Sequence, residues 1–163
     1  MPNSQPLLQA VAAAVAMALL VAGAPGCGSR GPQVQMVLGK VTLDGTPLAG
    51  ATVTFSPVPG GEGLPAVGQT RDDGSFRLTA LRGGAPERGT TVGDYSVTVV
   101  KITHTPPGKD PQPAPPASGA LAVFRLVPEA YENSTTSGLS ASVKRGVNQG
   151  AAFTFDLRSD FRG

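Results

Sequence analysis

Only a small set of side chains in this 163-residue sequence could support catalysis or metal binding. His104 is the single histidine, and it lies among threonines and prolines. A zinc site needs about three or four convergent ligands, and a serine–histidine–aspartate triad needs a rigidly held histidine. The surroundings of His104 provide neither, so we expect it to be an exposed loop residue. The sequence predicts no catalytic residue, no metal site and no cofactor.

The aspartates could act as turn formers or as ligands. Asp72 and Asp73 precede Gly74, but the segment lacks the alternating oxygen ligands and the distant glutamate of a calcium-binding EF-hand. We interpret it as a turn, since aspartate and glycine favour turn conformations. A site that pools Asp44, Asp72, Asp73 and Asp94 at one end of a sandwich stays open as an alternative.

Cys27 is the single cysteine, and it follows a long apolar segment. Residues 7–24 are apolar apart from one glutamine. This arrangement resembles a bacterial lipobox, in which cleavage before a cysteine precedes lipid attachment to its sulfur. Residues 1–26 are therefore predicted to be a lipoprotein-type signal peptide and residues 27–35 a tether. An uncleaved membrane anchor and plain secretion remain alternatives, because about 18 apolar residues can nearly span a bilayer.

A lipidated Cys27 has consequences for where the protein acts. The resemblance implies an exported protein, held by lipid in the cell envelope at the outer membrane or the periplasmic face. Two or more acyl chains would hold it firmly, because each buried methylene contributes about 0.8 kcal/mol. The membrane is thus its first expected partner.

After the tether, apolar and polar residues alternate, which is typical of half-buried antiparallel strands. The inward side of the segment from residue 37 to residue 78 is predicted to consist of Val37, Gly39, Val41, Leu43, Ala51, Val53, Phe55, Phe76 and Leu78. The dipeptides Asp44-Gly45 and Asp73-Gly74 favour tight turns. Residues 57–68 and 81–93 are predicted to be loops, because the first is rich in glycine and proline and the second in glycine and charged residues.

The remaining strands are shorter or more interrupted. A strand is expected from residue 95 to residue 102, with Tyr95 as a core aromatic whose hydroxyl reaches a backbone partner. Residues 103–118 contain six of the sixteen prolines and are predicted to be an extended, exposed loop. Val123 is expected to pack on the core as the chain turns apolar again.

The carboxyl-terminal third is predicted to contain one helical turn and two strands. The turn is expected at residues 128–131, a short strand at residues 139–143, and a final strand at residues 151–157. Ala151, Phe153, Phe155 and Leu157 are expected to face inward from that final strand.

Several of these residues also carry a family resemblance. A Gly-x-Pro-x-x-Gly-Ala turn and an Asp-Gly-x-Phe motif are formed by Gly45, Pro47, Gly50, Ala51, Asp73, Gly74 and Phe76. Residues 93–97 form a Gly-x-Tyr-x-Val motif. These motifs resemble the carboxypeptidase regulatory-like domain, which implies a transthyretin-like Greek-key β-sandwich of about seven antiparallel strands at residues 36–160. The chain is also similar to small bacterial lipoproteins that carry this domain.

Charge and motif content narrow the expected function. The 13 basic and 11 acidic residues are scattered, so no basic stripe suggests nucleic acid as a partner. We expect a non-catalytic, membrane-tethered module of the cell envelope that binds an unidentified envelope protein or polymer. One alternative is a structural envelope subunit without a specific ligand. Another is an accessory domain of a hydrolase, for which Glu87 and Glu129 are the scattered candidate carboxylates.

Overall fold

The computed structural model of the protein describes residues 31–103 and 123–163, and these residues form β-strands with two short 3₁₀ helices. The strands are β1 (Val34–Gln35), β2 (Leu38–Leu43), β3 (Thr46–Pro47), β4 (Thr52–Pro57), β5 (Ala66–Gln69), β6 (Ser75–Arg77), β7 (Thr79–Arg82), β8 (Ala85–Arg88), β9 (Thr90–Thr91), β10 (Gly93–Val100), β11 (Ile102–Thr103), β12 (Phe124–Arg125), β13 (Leu139–Val143) and β14 (Thr154–Leu157). The 3₁₀ helices span Glu129–Glu132 and Ala151–Phe153. The prediction of an all-β fold is confirmed.

Two larger sheets form the layers of a β-sandwich. One has six strands in the order β13-β10-β4-β5-β7-β8, and the other has the order β14-β2-β3 with β6 also paired to β2. The short pairs β1–β9 and β11–β12 complete the described strands. Strand pairs are antiparallel, but β14 runs parallel to β2. The predicted all-antiparallel arrangement is therefore wrong for the last strand, because residues 144–153 carry the chain to the opposite layer before it enters beside β2.

Aromatic side chains join the two layers at the centre of the core. Phe55 is fully buried, and its ring centroid lies 5.8 Å from that of Tyr95 in the same sheet. From the opposite side come Phe76, Phe153 and Phe155, whose centroids lie 6.3, 6.5 and 6.1 Å from that of Phe55. Offset and edge contacts at such distances stabilise aromatic pairs beyond the burial of their area. Phe55 is thus the residue through which the layers meet.

The period-two pattern identifies most of the core correctly. The predicted inward residues that are buried are Val37, Val41, Ala51, Val53, Phe55, Phe76, Leu78, Tyr95, Phe153, Phe155 and Leu157. Gly39 and Leu43 are half-buried on the same side of β2. At Gly39 a Cβ atom would lie 2.3 Å from Cζ of Phe76 and 2.4 Å from the carbonyl oxygen of Phe153. Glycine is therefore required there for close packing of the two aromatic residues.

Both predicted turns are present. The β2–β3 hairpin has positive φ at Asp44 (50°) and Gly45 (80°), as expected for a two-residue loop that follows the strand twist. In the Asp73-Gly74 turn, the N–H of Ser75 donates to Oδ1 of Asp73 at 2.9 Å. The predicted helical turn and the strand at residues 139–143 are confirmed as well.

Two segments predicted as loops contain strands. β5 begins within residues 57–68 and ends at Gln69, and in it buried Ala66 and Gly68 alternate with exposed Val67. Small inward residues give no apolar signal, which explains the error. β7 and β8 form a hairpin that starts at Thr79 and extends into residues 81–93, with its turn at Gly83 and Gly84, whose φ angles are 57° and 85°.

Three smaller predictions are also corrected. The final strand is shorter than expected, because residues 151–153 form a 3₁₀ helix and Ala151 is exposed. Val123 is 54% exposed rather than packed on the core. Strand pairing begins at Val34, two residues before the predicted start of the domain.

The leader, Cys27, His104 and most of the proline-rich segment lie outside the described residues. Within residues 31–103 and 123–163, no helix has the length and apolar character needed to cross a membrane.

Candidate binding cleft

A solvent-open cleft of about 510 Å³ lies on the surface of the described chain. It is lined by three segments, residues 32–35, 62–64 and 91–92, together with Arg145. The first segment is the start of the described chain, the second belongs to the connection before β5, and the third includes the end of β9. The cleft therefore depends on parts of the chain that are far apart in sequence.

One wall of the cleft is built around Asn148. This side chain is 4% exposed; its Oδ1 accepts from the N–H of Lys144 at 2.8 Å, and its Nδ2 donates to the carbonyls of Lys144 and Gly146 at 2.8 and 3.0 Å. The N–H of Gly146 in turn donates to Oε1 of Gln35 at 2.9 Å. These bonds fix the loop that carries Arg145. A buried amide with its partners satisfied stabilises a loop without regular secondary structure.

The other wall is held by a buried cluster of hydroxyl groups. The Tyr95 hydroxyl donates to the carbonyl of Thr91 at 2.9 Å and lies 3.0 and 3.1 Å from the hydroxyl oxygens of Thr90 and Thr91. The Leu64 N–H donates to Oγ1 of Thr91 at 2.9 Å, and Oγ1 of Thr90 donates to the Leu64 carbonyl. The prediction that the Tyr95 hydroxyl reaches a backbone partner is confirmed.

Residue 63 shows how closely this wall lies against the cluster. A Cβ atom on Gly63 would lie 2.6 Å from the hydroxyl oxygen of Tyr95. The segment at residues 62–64 can therefore pass directly over the tyrosine only because residue 63 has no side chain.

The cleft carries opposite charges that the described chain leaves unpaired. Glu62 and Arg145 are both exposed and line the same cleft. Ion pairs among the described residues join Arg82 to Glu87 and Arg125 to Glu132, and neither Glu62 nor Arg145 takes part in one. The amide side chains of Gln33 and Gln35 and the exposed apolar side chain of Val92, 43% accessible, complete a mixed polar and apolar lining.

The aspartates serve mainly as turn and strand-end acceptors. Hydrogen bonds from the side chain and the N–H of Ser159 lower the pKa of Asp44, with the N–H donating to Oδ1 at 3.0 Å. Hydrogen bonds from the side chain and the N–H of Ser75 lower the pKa of Asp73. In each case the partner stabilises the ionised carboxylate.

The structure does not assemble the pooled aspartate site. Asp94 lies at the end of β10 that pairs with Pro57, whereas the turn with Asp72 and Asp73 follows Gln69, which pairs with Thr52 at the other end of β4. No group of three or more histidine, cysteine, aspartate or glutamate residues suited to a metal ion occurs among the described residues. That alternative is wrong because the strand register separates its members.

The two candidate carboxylates of a hydrolase are also apart. Glu87 lies on the edge strand β8, while Glu129 lies in the 3₁₀ helix beside β10. In the six-stranded sheet β8 and β10 are separated by four strand spacings, or about 19 Å. Glu87 is instead paired with Arg82 at 3.5 Å.

Sequence reasoning identified Tyr95 but missed the other residues that shape the cleft. Thr90 and Thr91 form the two-residue strand β9, and their hydroxyls bond to Leu64, which lies 26 and 27 positions away in sequence. Asn148 lies in the loop after β13 and bonds to the backbone of Lys144 and Gly146, within four positions. Only the neighbouring glycines, such as Gly146 and Gly150, mark the Asn148 segment as a turn in the sequence.

Comparisons with known proteins find no matching family model, no matching curated protein and no matching solved structure. The resemblance to the carboxypeptidase regulatory-like domain therefore depends on the sequence motifs alone, and the transthyretin-like Greek key remains a prediction.

Proposed function

We propose that the protein is a non-catalytic interaction module of the cell envelope, tethered to the membrane through lipidated Cys27, that binds a segment of an envelope protein or polymer. The observation that carries this proposal is the cleft of about 510 Å³, on whose walls Glu62 and Arg145 form no ion pair with another residue of segments 31–103 and 123–163. Polar groups fixed on a rigid scaffold give orientation and specificity to a bound segment.

The lining favours a ligand that carries hydrogen-bonding groups and charge. Arg145 can pair with a carboxylate or phosphate, and Glu62 with an amine. The amide of Gln33 offers a donor and an acceptor, and Val92 offers an apolar contact, whereas the amide of Gln35 is already bonded to the Gly146 N–H and the Gln33 carbonyl. An extended peptide or an amino-bearing polymer has this combination of groups.

A photo-crosslinking amino acid at Val92 tests the cleft directly. In cells, Val92 substituted by benzoylphenylalanine should form one dominant adduct. The double variant Glu62→Ala/Arg145→Ala should reduce that adduct about tenfold, equivalent to about 1.4 kcal/mol of binding free energy. Val67 is a matched control, because it is 48% exposed against 43% for Val92 and lies outside the cleft. Equal adducts at both positions, or no effect of the double variant, would contradict the proposal.

The tether is tested separately by mass spectrometry of the protein from the membrane fraction. We expect an amino-terminal Cys27 that carries lipid, and we expect Cys27→Ser to release the protein from membranes. A retained Met1 leader would instead support the anchor alternative.

A structural envelope subunit is the second candidate. It is favoured by one specific observation, the open edge of β13 described below. The accessory domain of a hydrolase has less support, because Glu87 and Glu129 lie on different parts of the six-stranded sheet.

A further inference from the structure

The six-stranded sheet ends in two strands whose outer edges differ in composition. An edge strand presents unpaired backbone groups that can pair with another chain, and proteins usually protect such edges with proline or charge. At one end, β8 contains Pro86, Glu87 and Arg88 within four residues. Proline removes a donor and the charges disfavour close pairing, so this edge is protected.

The opposite edge, β13, has no such protection. Its five residues, Leu139–Val143, include no charged residue and no proline. Ser140 and Ser142 are exposed, while Ala141 and Val143 face the core. Among the described residues β13 pairs only with β10, so its outer side has no strand beside it.

The register indicates which backbone groups are open. The Ser137 hydroxyl donates to the Val97 carbonyl, so that carbonyl points towards β13 rather than towards β4. Because antiparallel strands alternate, Leu139, Ala141 and Val143 bond to β10, and Ser140 and Ser142 direct their N–H and C=O groups outward. The next outward donor, the N–H of Lys144, is already taken by Asn148. Ser140 and Ser142 are therefore the two residues of β13 whose outward N–H and C=O groups can pair with another strand.

We propose that this edge pairs with β13 of a second copy of the chain, antiparallel and centred on Ala141. This goes beyond the proposed function and does not use the cleft. The sequence Leu-Ser-Ala-Ser-Val has the same pattern of residue types in both directions. Self-pairing therefore aligns Ser140 with Ser142 of the second copy and Ala141 with its own equivalent. Such an interface is isologous and closes as a twofold dimer.

Charge complementarity favours the second copy over an unrelated strand. Lys144 follows β13 directly, and the 3₁₀ helix with Glu129 precedes it. The Thr136 hydroxyl donates to the Ala130 carbonyl at 2.8 Å, which holds this helix near the start of β13. In the antiparallel arrangement Lys144 of one copy therefore lies at the end of the ladder where the helix with Glu129 precedes β13 of the other copy; Glu132 of that helix is already paired with Arg125, and Arg162 lines the same surface.

The contact is small, so we expect dimer formation to depend on concentration. Two outward residues on each copy give a short ladder, below the area of most stable dimers. Attachment of both copies to one membrane would raise their effective concentration.

Sedimentation equilibrium of the full chain in density-matched detergent tests the pairing. Wild type should form dimers as concentration rises. Ser142→Pro removes an outward N–H without removing a donor to β10, and it should weaken dimer formation about tenfold or more. Ser142→Ala keeps the N–H and is the matched control, for which dimer formation should be unchanged. A protein that stays monomeric throughout, or equal weakening by both substitutions, would overturn the proposal.

Ser140→Lys provides a second variant in case the proline variant folds poorly. In the dimer the two lysines would be diagonal neighbours and repel each other. Thermal melts should show that the monomer is intact while the dimer is lost; an unchanged dimer would argue against the pairing.

Photo-crosslinking in membranes distinguishes a second copy from another partner. Benzoylphenylalanine at Ser140 should give an adduct of twice the chain mass that maps to residues 139–143, and the same group at Ala85 on the protected edge should not. An adduct with a different polypeptide, or equal self-adducts at both edges, would overturn the proposal.

Discussion

The aromatic interior around Phe55 and the hydroxyl cluster beneath the cleft share Tyr95, but apolar packing stabilises the first and specific hydrogen bonds stabilise the second. The ring of Tyr95 lies 5.8 Å from that of Phe55, while its hydroxyl lies within 3.1 Å of both Thr90 and Thr91. The interior is set by alternation along each strand, which any apolar residue of suitable size can maintain. The cluster requires particular donors and acceptors at fixed positions. Apolar packing therefore determines whether the domain folds, and the polar cluster determines the shape of its cleft.

The largest expected effect is on the interior. Phe153→Ala or Phe155→Ala should cost about 3–5 kcal/mol of unfolding free energy, because each leaves a cavity among the aromatic rings. A loss of this size approaches the total stability of a small domain, so both variants should be largely unfolded. Chemical denaturation monitored by circular dichroism measures it.

Val147→Ala is the control for these variants, because Val147 is 80% exposed and its truncation should leave stability unchanged. If Phe153→Ala melted like wild type, the assigned role of the aromatic interior would be wrong.

The variant Tyr95→Phe tests the hydroxyl cluster and keeps the aromatic interior intact, because Tyr95 contributes its hydroxyl to the first and its ring to the second. The ring stays in place, but the Thr90 and Thr91 hydroxyls and the Thr91 carbonyl lose a buried partner. We expect a cost of about 1–3 kcal/mol, smaller than that of the phenylalanine variants. The Val92 crosslink described above should also weaken, because the Thr90 and Thr91 hydroxyls, which bond to Leu64 in the cleft wall, lose their contact with the Tyr95 hydroxyl.

Tyr131→Phe is the matched control for this variant. The Tyr131 hydroxyl accepts one hydrogen bond, from the N–H of Arg158 at 3.1 Å, and it lies outside the cleft. A similar loss of the Val92 crosslink in both variants would show that the hydroxyl cluster has no particular role.

The smallest effect is expected at the turns, which belong to neither region. The fold lowers the pKa of Asp44 and Asp73 below the ordinary value of 3.8, so the folded state binds fewer protons than the unfolded state near that pH. The stability that these two ionised carboxylates give to the folded state is fully present above about pH 3.8, and it is lost as the pH falls through their lowered pKa values. Melting temperatures from about pH 5 to about pH 2 should therefore fall less steeply in Asp44→Asn/Asp73→Asn than in wild type.

Asparagine tolerates the positive φ of Asp44, so the double variant keeps the turn. If the melting temperature of the double variant depended on pH in the same way as that of wild type, these two carboxylates would not be the cause of the dependence.

The sequence predicted the aromatic interior but not the cleft, for physical reasons. Phe55, Phe76 and Phe155 are large, and alternation alone shows which way they face. Ala66 and Gly68 face inward as well, but their small side chains concealed β5. Thr90 bonds to Leu64, 26 positions away, and no local sequence pattern indicates such a bond. Asn148 bonds within its own loop, where the neighbouring glycines indicate a turn but not which side chain is buried in it.

The direction of the last strand could not be predicted either. A single strand shows which residues face inward, but it does not show its neighbour or its orientation. The parallel register of Phe155 with Val41 depends on how residues 144–153 cross between layers.

The parallel pairing of β14 with β2 also constrains when the domain can fold. The first long strand is completed by the last one, with Thr42 donating to Asp156 across 114 positions of sequence. A chain that emerges gradually, amino terminus first, from a ribosome or a translocation channel leaves this side of β2 bare until residues 154–157 have passed. Such distant pairing slows folding, since a long loop must close before the contact forms. The layer that contains β2 is therefore completed only after residues 154–157 have emerged.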